Sequence, residues 1–471
     1  MSNKSMGQIF TPHKIVCEIL DTIGYKDNIL NKTIFEPSFG DGAFLKEIVS
    51  RLISCAQNNN LTADEIKTQL ENNIYGVELD TSYYHETIQS LNNICMAYGI
   101  SNIRWNLING NTLTTNFDIN FDYISGNPPY VRNHMHDENT KDILSRFKFT
   151  NGSTDLYIAF FEYCINLMHE DTKLGFITPN SYFKNTSQKK FREYLKNCGL
   201  LEGITDYGDV KVFDNADTYT AITYLSKNNS SFIYKKKRKT SSLGYGVLGD
   251  IWSFDNVKFM EDIKNKSNYI SDFVTVQNGI ATNADKVYIG KASKIDDDTS
   301  LFNGYLIESN ILVDCVKGSR FNGVITEKAL FPYELVGDKY VPIEEIKLKT
   351  KYPLAYEYLS AHKDILLNRN MDSNSVWYQF GRSQSIQTFG QEKYVINYVF
   401  SCDKERVSVH KIGKNTLVYS GIYFTGDKLN CEKIKKKIES KTFFKYAKTI
   451  GKNMANNYKY ITVPMIKNYK F

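Results

Sequence analysis

The chain has 471 residues, 42% of them hydrophobic, and a formal net charge of +6, which is enough for two or three domains with cores of their own. It contains no apolar run long enough to span a membrane, and its first residues lack the apolar segment of a secretory signal. Its eight cysteines form no CxxC pair, which argues against a disulfide framework or a zinc site and favours a cytoplasmic location.

Helical and strand-like patterns alternate from residue 14 to about residue 228. The predicted helices are Ile15–Ile23, Phe44–Leu52 and Ala159–Met168, and the predicted strands are Thr33–Phe35, Ile74–Val77, Phe121–Ser125 and Leu174–Thr178. Such alternation is typical of an α/β domain built on a mostly parallel sheet.

The pattern changes after residue 228. Residues 229–250 are polar and include five consecutive basic residues, Lys235 to Lys239. We interpret this stretch as a linker between a domain at 1–228 and a second domain at 251–471, although the basic run could also contact phosphates. The sequence of the second domain consists of short irregular runs, with helices predicted at Leu354–Asn368 and Cys431–Lys441. We expect a mixed α+β fold there.

Charge is distributed unevenly along the chain. Residues 241–471 carry 33 basic and 25 acidic residues, and residues 406–471 alone carry 15 and 3. A basic second part joined to a slightly acidic first part favours a polyanionic partner that docks mainly on the second part. A lysine-rich surface that serves only solubility explains the same numbers, so charge alone does not decide.

The most informative segment is Asn127-Pro128-Pro129-Tyr130, which follows the predicted strand Phe121–Ser125. Proline has no amide donor and a fixed φ, so the strand ends here and the backbone is rigid. The side-chain oxygen of Asn127 and the carbonyl of Pro128 then offer two fixed acceptors for the two hydrogens of one planar amino group. Such acceptance makes the amino nitrogen a better nucleophile, and Tyr130 offers a face on which the ring can stack.

Three further segments precede it. In the first, Glu36 to Gly42, a strand ends and a glycine-containing turn leads into a helix, as in nucleotide-binding sheets; here Glu36 suits a cationic group such as an α-amino group. In the second, Glu78 ends the next strand, where a carboxylate can bind ribose hydroxyls. The third is Gly7-Gln-Ile-Phe-Thr11-Pro12 near the N-terminus.

In content and order, these segments resemble the gamma-class, TaqI-type adenine DNA methyltransferases of restriction–modification systems. The resemblance implies a Rossmann-like methyltransferase sheet flanked by helices, followed by a target-recognition domain. In the second half it rests on the less specific stretches Gln277-Asn-Gly279-Ile and Trp377-Tyr-Gln-Phe-Gly381-Arg382.

Site roles follow from the resemblance residue by residue. It implies that the methionine end of S-adenosylmethionine is bound by Thr11, Pro12, Glu36, Ser38 and Gly40, and the ribose by Glu78. It also implies that the target adenine is held by Asn127, Pro128, Pro129 and Tyr130, with Phe213 packing on the extruded base. An ordinary core position for Phe213 is the less favoured alternative.

One departure concerns the cofactor's adenine. The family commonly has an aspartate that accepts a hydrogen bond from its amino group, whereas this chain has Asn111. An amide oxygen can still accept, so we expect weaker selectivity for the cofactor.

The predicted reaction is methyl transfer to the N6 amino group of an adenine flipped out of duplex DNA, with no metal. Arginine is the side chain best shaped to read guanine edges, so Arg320, Arg369 and Arg382 are the candidates for sequence recognition. We expect a cytoplasmic monomer that protects DNA, with a separate restriction endonuclease as a possible partner and no membrane contact.

Four alternatives remain open. Protein glutamine methyltransferases and RNA methyltransferases use the same or related tetrapeptides. A fused restriction–modification enzyme would carry a nuclease in the same chain. A DNA-binding protein without enzymatic activity would not need a cofactor pocket, so cofactor binding distinguishes it.

Overall fold

The computed structural model describes residues 11–131, 138–150, 155–208, 210, 212–213, 219–373, 375–454 and 456–471. The chain divides into two compact units, Met1–Phe254 and Asp255–Phe471. Among the described residues, no helix is both long enough and apolar enough to cross a membrane.

The first unit contains nine strands and seven helices within its described residues. The strands are β1 Ile34–Glu36, β2 Ile74–Glu78, β3 Asn106–Asn109, β4 Phe121–Gly126, β5 Met168–Pro179, β6 Leu201–Asp206, β7 Thr220–Leu225, β8 Ser231–Lys236 and β9 Lys239–Gly244. The helices are α1 His13–Ile23, α2 Ala43–Asn58, α3 Ala63–Asn73, α4 Thr81–Met96, α5 Glu138–Ser145, α6 Tyr157–Asn166 and α7 Lys189–Asn197.

All nine strands form one sheet in the order β3-β2-β1-β4-β5-β7-β6-β8-β9. The pairs β1–β2, β1–β4, β2–β3, β4–β5 and β6–β8 are parallel, whereas β7 runs antiparallel to both β5 and β6, and β9 runs antiparallel to β8. Seven strands therefore point the same way, which confirms the predicted α/β domain with a mostly parallel sheet.

Helices cover both faces of this sheet. In β1, Ile34 belongs to one apolar cluster and its neighbour Phe35 to the other, as expected because successive strand residues point to opposite faces. The first cluster is filled by the apolar sides of α1 to α4, and the second by those of α6 and α7. Both faces are buried, as parallel strands require.

The second unit is built from smaller pieces. Its strands are β10 Thr275–Asn278, β11 Ile289–Gly290, β12 Ala292–Lys294, β13 Thr299–Phe302, β14 Tyr305–Glu308, β15 Leu312–Lys317, β16 Glu327–Leu330, β17 Tyr333–Val336, β18 Lys339–Pro342, β19 Lys393–Ile396, β20 Val399–Ser401, β21 Val409–Ile412, β22 Thr416–Tyr419, β23 Ile422–Thr425, β24 Lys452–Met454 and β25 Tyr458–Tyr460. Its helices are α8 Val257–Lys264, α9 Asp285–Tyr288, α10 Glu345–Lys351, α11 Pro353–Ala361, α12 Lys363–Leu367, α13 Lys428–Ile438, α14 Lys441–Ile450 and α15 Val463–Lys467.

These elements make the mixed α+β architecture that the sequence predicts. Two four-stranded sheets, β10-β23-β19-β21 and β11-β16-β15-β22, are accompanied by smaller sheets of two or three strands. The helix predicted at Leu354–Asn368 is two helices, because the chain leaves helical geometry at His362, where φ is −107° and ψ is 13°.

The interpretation of residues 229–250 as a linker is wrong, because most of these residues belong to the sheet of the first unit. Residues Ser231 to Gly244 form the hairpin β8–β9 at the edge of the first sheet. Phe232 and Tyr234 are buried, while the residues between and after them face outward. This alternation is a strand pattern. The boundary between the two compact units lies further along the chain, between Phe254 and Asp255.

A buried arginine fixes the chain that follows the hairpin. Arg192 of α7 is only 2% exposed and donates to the carbonyls of Tyr182 and Asn185 at 2.7 Å each. Its Nε donates to the carbonyl of Asp250 at 2.9 Å. The guanidinium therefore fastens residue 250 to the body of the first unit.

Replacing Arg192 with methionine keeps most of the apolar stem and leaves these three carbonyls without their donor. We expect a loss of about 3 kcal/mol or more in the free energy of unfolding, measured by urea denaturation, and faster proteolysis within residues 229–254. Lys190→Met, on the exposed side of the same helix, is the control and should change stability by less than about 0.5 kcal/mol. Equal stability of the two variants would contradict the anchoring role.

Candidate active site

The direction of three strands positions the residues of the site. β1 ends at Glu36, β2 at Glu78 and β4 at Gly126, directly before Asn127. Because β1 pairs in parallel with both β2 and β4, these ends lie along one edge of the sheet. In open α/β sheets, ligands bind at the carboxyl edge of the strands.

The turn after β1 depends on glycine. Gly40 and Gly42 have φ values of +49° and +75°, in the left-handed region that favours glycine. A Cβ at Gly42 would lie 2.6 Å from Cγ2 of Thr87, and the hydroxyl of Thr87 donates to the carbonyl of Gly40 at 2.9 Å. The turn therefore packs directly on α4, with no room for a side chain at Gly42.

Glu78 connects this turn with the next one. One carboxylate oxygen accepts the amide of Gly40 and the other accepts the amide of Asp80, each at 2.8 Å. Burial raises the pKa of Glu78, and the hydrogen bonds from the Asp80 and Gly40 amides oppose that rise. Each carboxylate oxygen has two lone pairs, so Glu78 can orient both turns and still accept from a ligand hydroxyl.

Glu36 is the least satisfied group of the site. Its side chain is 2% exposed, and its Oε2 has no hydrogen-bond partner among the described residues. Burial, and then the nearby carboxylates of Asp41 and Glu78, raise the pKa of Glu36 well above its ordinary value. A buried carboxyl group in this state suits a cationic ligand group that supplies the missing partner.

The Asn127–Tyr130 segment is held from several sides. The side-chain amide nitrogen of Asn127 donates to Oγ1 of Thr11 at 3.1 Å, and the hydroxyl of Ser38 donates to the carbonyl of Asn127 at 3.4 Å. The hydroxyl of Tyr130 donates to the carbonyl of Ile177 at 3.1 Å. Burial of this hydroxyl raises the pKa of Tyr130 well above its ordinary value, so the phenol stays neutral and its ring orientation is fixed.

Phe213 lies beside Tyr130 and belongs to the first apolar cluster of the sheet, so its packing on an extruded base stays a prediction. The two rings meet edge to face with centroids 6.3 Å apart, and Phe213 is 2% exposed. Thr11 is buried, and Pro12 directly precedes α1. The residues before Thr11 in the Gly7–Pro12 motif lie outside the described part of the chain.

Asn111 has a local role that the sequence did not reveal. Its side-chain oxygen accepts the amide of Leu113 at 3.0 Å and caps the short 3-10 helix Thr112–Thr114. The second lone pair of this oxygen is the acceptor left for a ligand, so the expected role in binding the cofactor's adenine stays a prediction.

Two apolar side chains at this edge of the sheet, which could contact a ligand, were not predicted from the sequence. Leu79 directly follows β2 and is 66% exposed, and Ile108 in the neighbouring β3 is 38% exposed. Apolar side chains at the ends of adjacent strands offer a surface on which a flat ring can pack. The signal in the sequence was the leucine that directly follows Glu78 before the helix-capping Asp80.

A second group of polar side chains lies between α1 and α2. One possible metal-ligating atom from each of His13, Cys17 and Glu47 lies within 4.8 Å of the other two, an arrangement that could hold a metal ion. Arg51 already donates to Oε1 of Glu47 at 2.8 Å, so this carboxylate has a cationic partner. The expectation that the chain uses no metal stays a prediction.

The three arginines proposed for DNA recognition differ in their surroundings. Arg320 is exposed. Arg382 pairs with Asp372 at 3.0 Å and keeps 43% of its side chain exposed. Arg369 donates to the carbonyls of Leu366, Thr282, Trp377 and Gln379 and to the hydroxyl of Tyr288.

The guanidinium of Arg369 has five N–H donors, and these bonds engage all three of its nitrogens. The structure therefore gives Arg369 a structural role in place of the expected role in reading base edges. That side chain was indistinguishable from the other two in the sequence.

The second motif of the second half bonds to the two residues that directly follow the first motif. The amide of Gly381 donates to the carbonyl of Thr282, and the amide of Arg382 to that of Ala281, each at 3.0 Å. A Cβ at Gly279 would lie 2.2 Å from the carbonyl oxygen of Val418. Gly279 therefore permits close backbone approach within the second unit, whereas Gly381 leaves room for the side chain of Asn283.

Comparisons with known proteins agree with the motifs. Residues 44–213 match the family described as Eco57I restriction-modification methylase. The chain is 26% identical over 432 residues to the Type II methyltransferase M.BstVI of Geobacillus stearothermophilus, covering 80% of this chain and 74% of that protein. It is 28% identical over 347 residues to the Type II restriction enzyme and methyltransferase RM.Eco57I of Escherichia coli, covering 62% of this chain but 34% of that protein.

Among solved structures, the chain is similar to the Type IIL restriction-modification enzyme MmeI, determined in complex with DNA. The TM-score is 0.62 at 14% identity, over 96% of this chain and 65% of that one. The expected resemblance to restriction–modification methyltransferases and the expected fold class are confirmed.

The state of Glu36 gives a prediction for the ligand-free protein. Because its pKa is raised in the folded state, the folded chain binds this proton more tightly than the unfolded chain, and that contribution to stability is lost as the pH rises through the folded pKa. Glu36→Gln should therefore match the wild type below about pH 4. Toward neutral pH it should be more stable, by about 1–3 kcal/mol, as measured by thermal unfolding across pH.

Glu86→Gln, on the exposed side of α4, is the matched control and should follow the wild type at every pH. A Glu36→Gln variant that is less stable than wild type at neutral pH would show that Glu36 is already well stabilised as a carboxylate.

Proposed function

We propose that the chain is an S-adenosylmethionine-dependent DNA methyltransferase that methylates the N6 amino group of a flipped-out adenine within a restriction–modification system. One observation carries the proposal. The rigid segment Asn127–Tyr130 follows β4, and the buried Glu36 ends β1, so both lie at the same edge of a sheet that is covered on both faces. One is suited to activate a planar amino group and the other to bind a cationic cofactor.

The residues of this edge fit the cofactor by charge and by shape. The α-amino group of S-adenosylmethionine would partner Glu36, beside Ser38 and Gly40. Its ribose hydroxyls would donate to Glu78, and its adenine would pack on Leu79 and Ile108 within reach of Asn111, while Thr11 and Pro12 lie beside the tetrapeptide. When bound, this cofactor supplies an electrophilic methyl group on a sulfonium.

The protein's own contribution is to place and activate the nucleophile. The side-chain oxygen of Asn127 and the carbonyl of Pro128 would accept the two amino hydrogens, which draws the nitrogen lone pair out of conjugation with the ring. Tyr130, fixed by its bond to Ile177, and Phe213 would hold the extruded base, which offsets part of the few kcal/mol lost in unstacking and unpairing. Positioning of this kind is the main source of rate in such a transfer.

DNA is favoured over the alternative substrates by the relatives. The relatives M.BstVI and M.PaeR7I are described as Type II methyltransferases, and MmeI, with a similar fold, was determined bound to DNA. RM.Eco57I combines restriction and methylation by its name, and this chain matches about a third of it, so a separate endonuclease remains part of the proposal. A cytoplasmic monomer is proposed because the eight cysteines form no CxxC pair and because one chain would carry both a catalytic and a recognition domain.

Asn127→Ala should abolish most methyl transfer, because it removes one of two acceptors that act in the transition state. We expect a fall of at least about 100-fold in kcat, with cofactor affinity changed only a few-fold. The assay is transfer of labelled methyl groups from S-adenosylmethionine to unmethylated genomic DNA, together with equilibrium binding of the cofactor.

Asn93→Ala, exposed on α4, is the control and should retain full activity. Normal methylation by Asn127→Ala would show that the catalytic residues are assigned wrongly. Label found in RNA or protein but not in DNA would leave the amino-methylation chemistry standing and refute the DNA substrate.

Thr11 offers a sharper test of the site. Its hydroxyl accepts from the amide nitrogen of Asn127, which favours the amide orientation that leaves Oδ1 as the acceptor for substrate. Thr11→Val should lower kcat by about tenfold, the effect of one neutral hydrogen bond, and Thr11→Ser should restore it, while the cofactor dissociation constant stays near that of the wild type. If Thr11→Val weakens cofactor binding and leaves kcat unchanged, Thr11 serves the cofactor and does not position Asn127.

A further inference from the structure

The turn between β8 and β9 concentrates positive charge. Lys236 pairs with Lys239 across the hairpin, so Lys237 and Arg238 form a two-residue turn, with Lys237 at φ +54°. Lys235, Lys237, Arg238 and Lys239 are exposed. We call residues Lys235–Lys239 the basic turn.

The basic turn lies at the carboxyl edge of the sheet. β8 runs parallel to β6, with Lys236 opposite Asp206. β6 has the same direction as β5 and β4, because β7 is antiparallel to both β5 and β6. The end of β8 therefore lies at the same edge as the end of β4, which Asn127 follows. Four strand positions separate β4 from β8, or about 19 Å at about 4.8 Å per strand.

The cations of the basic turn differ in their partners. Lys235 approaches Glu18 at 3.4 Å and Lys236 approaches Asp206 at 3.7 Å. These pairs tie the end of β8 to α1 and to β6. Arg238 in the turn and Lys239, the first residue of β9, have no ion-pair partner among the described residues of the chain. The inner part of the turn is thus fastened, and its outer part presents cations to the solvent.

We propose that the basic turn binds the phosphate backbone of double-stranded DNA beside the adenine that is being methylated. The inference rests on the proposed function and adds a contact of the catalytic unit with its substrate. A distance of about 19 Å equals five or six nucleotides at about 3.4 Å each along one strand. Arginine and lysine are the residues that contact phosphate oxygens, and such contacts fix the position of the duplex without reading its sequence.

The variant Arg238→Gln/Lys239→Gln tests this contact, because both side chains are exposed and their loss leaves the ion pairs of Lys235 and Lys236 in place. Affinity for an unmethylated duplex would be measured by fluorescence anisotropy over a series of salt concentrations. We expect binding to weaken by about tenfold at low salt and the slope of log K against log salt to fall by about 2, about one for each lost phosphate contact. The cofactor dissociation constant and kcat at saturating DNA should stay at the wild-type values.

Lys26→Gln/Arg104→Gln is the matched control. It removes the same two residue types, both exposed, from loops that precede β1 and β3 and so lie at the opposite edge of the sheet. Its salt slope should equal that of the wild type. An unchanged slope in Arg238→Gln/Lys239→Gln, or an equal fall in both variants, would overturn the inference.

The two proposals can fail separately. If the wild type transfers no methyl group to DNA, the proposed function fails. If the wild type methylates DNA but the two variants bind it alike, only the role of the basic turn fails.

Discussion

The parallel pairing of β1 with β2 on one side and β4 on the other is the constraint on which the site depends. It brings Glu36, Glu78 and Asn127 to one edge, although they are far apart in the sequence. The hydrogen bonds of the Glu78 carboxylate to the amides of Gly40 and Asp80 then fix the two turns relative to each other. A shift of one residue in either pairing would turn the side chains of the shifted strand to the other face of the sheet and separate them from the rest of the site.

The same arrangement makes the ligand-free site costly. Glu36 is buried beside other carboxyl groups, and Gly42 holds a left-handed conformation against Thr87. The carboxyl of Glu36 does not help the fold by itself, since a carboxamide at position 36 would be easier to bury. Residues that lower stability in this way are expected where a site is selected for ligand binding. A cationic ligand that supplies the missing partner of Glu36 would recover part of that cost as affinity. The buried carboxyl of Glu36 is therefore the group that says most about the charge of the ligand.

The sequence predicted the parts of the fold that depend on local pattern. The strand before Asn127 and the turn after Glu36 were readable because apolar runs end there in proline and glycine. The hairpin at 231–244 was not, because only Phe232 and Tyr234 mark its buried face among polar and basic residues. The surroundings of Arg369 could not be predicted either, since its partners come from three separate segments, and no property of one residue reveals which carbonyls the fold will bring to it. The roles inferred by resemblance for Glu78 and Asn111 remain predictions, because both side chains also have structural partners.

Charge counted along the chain gave an incomplete picture of where a polyanion would bind. Many lysines of the basic C-terminal part lie over aromatic rings, such as Lys433 at 4.0 Å from the ring centre of Phe273 and Lys445 at 4.4 Å from that of Phe259. Their stems cover apolar surface while their charges stay near solvent, so part of this excess stabilises the second unit. The basic turn, in contrast, belongs to the slightly acidic first part, and two of its cations have no acidic partner among the described residues. Folding concentrates charge that the linear count averages out, so a polyanion bound at the catalytic edge would meet cations of the first unit that the count along the chain does not reveal.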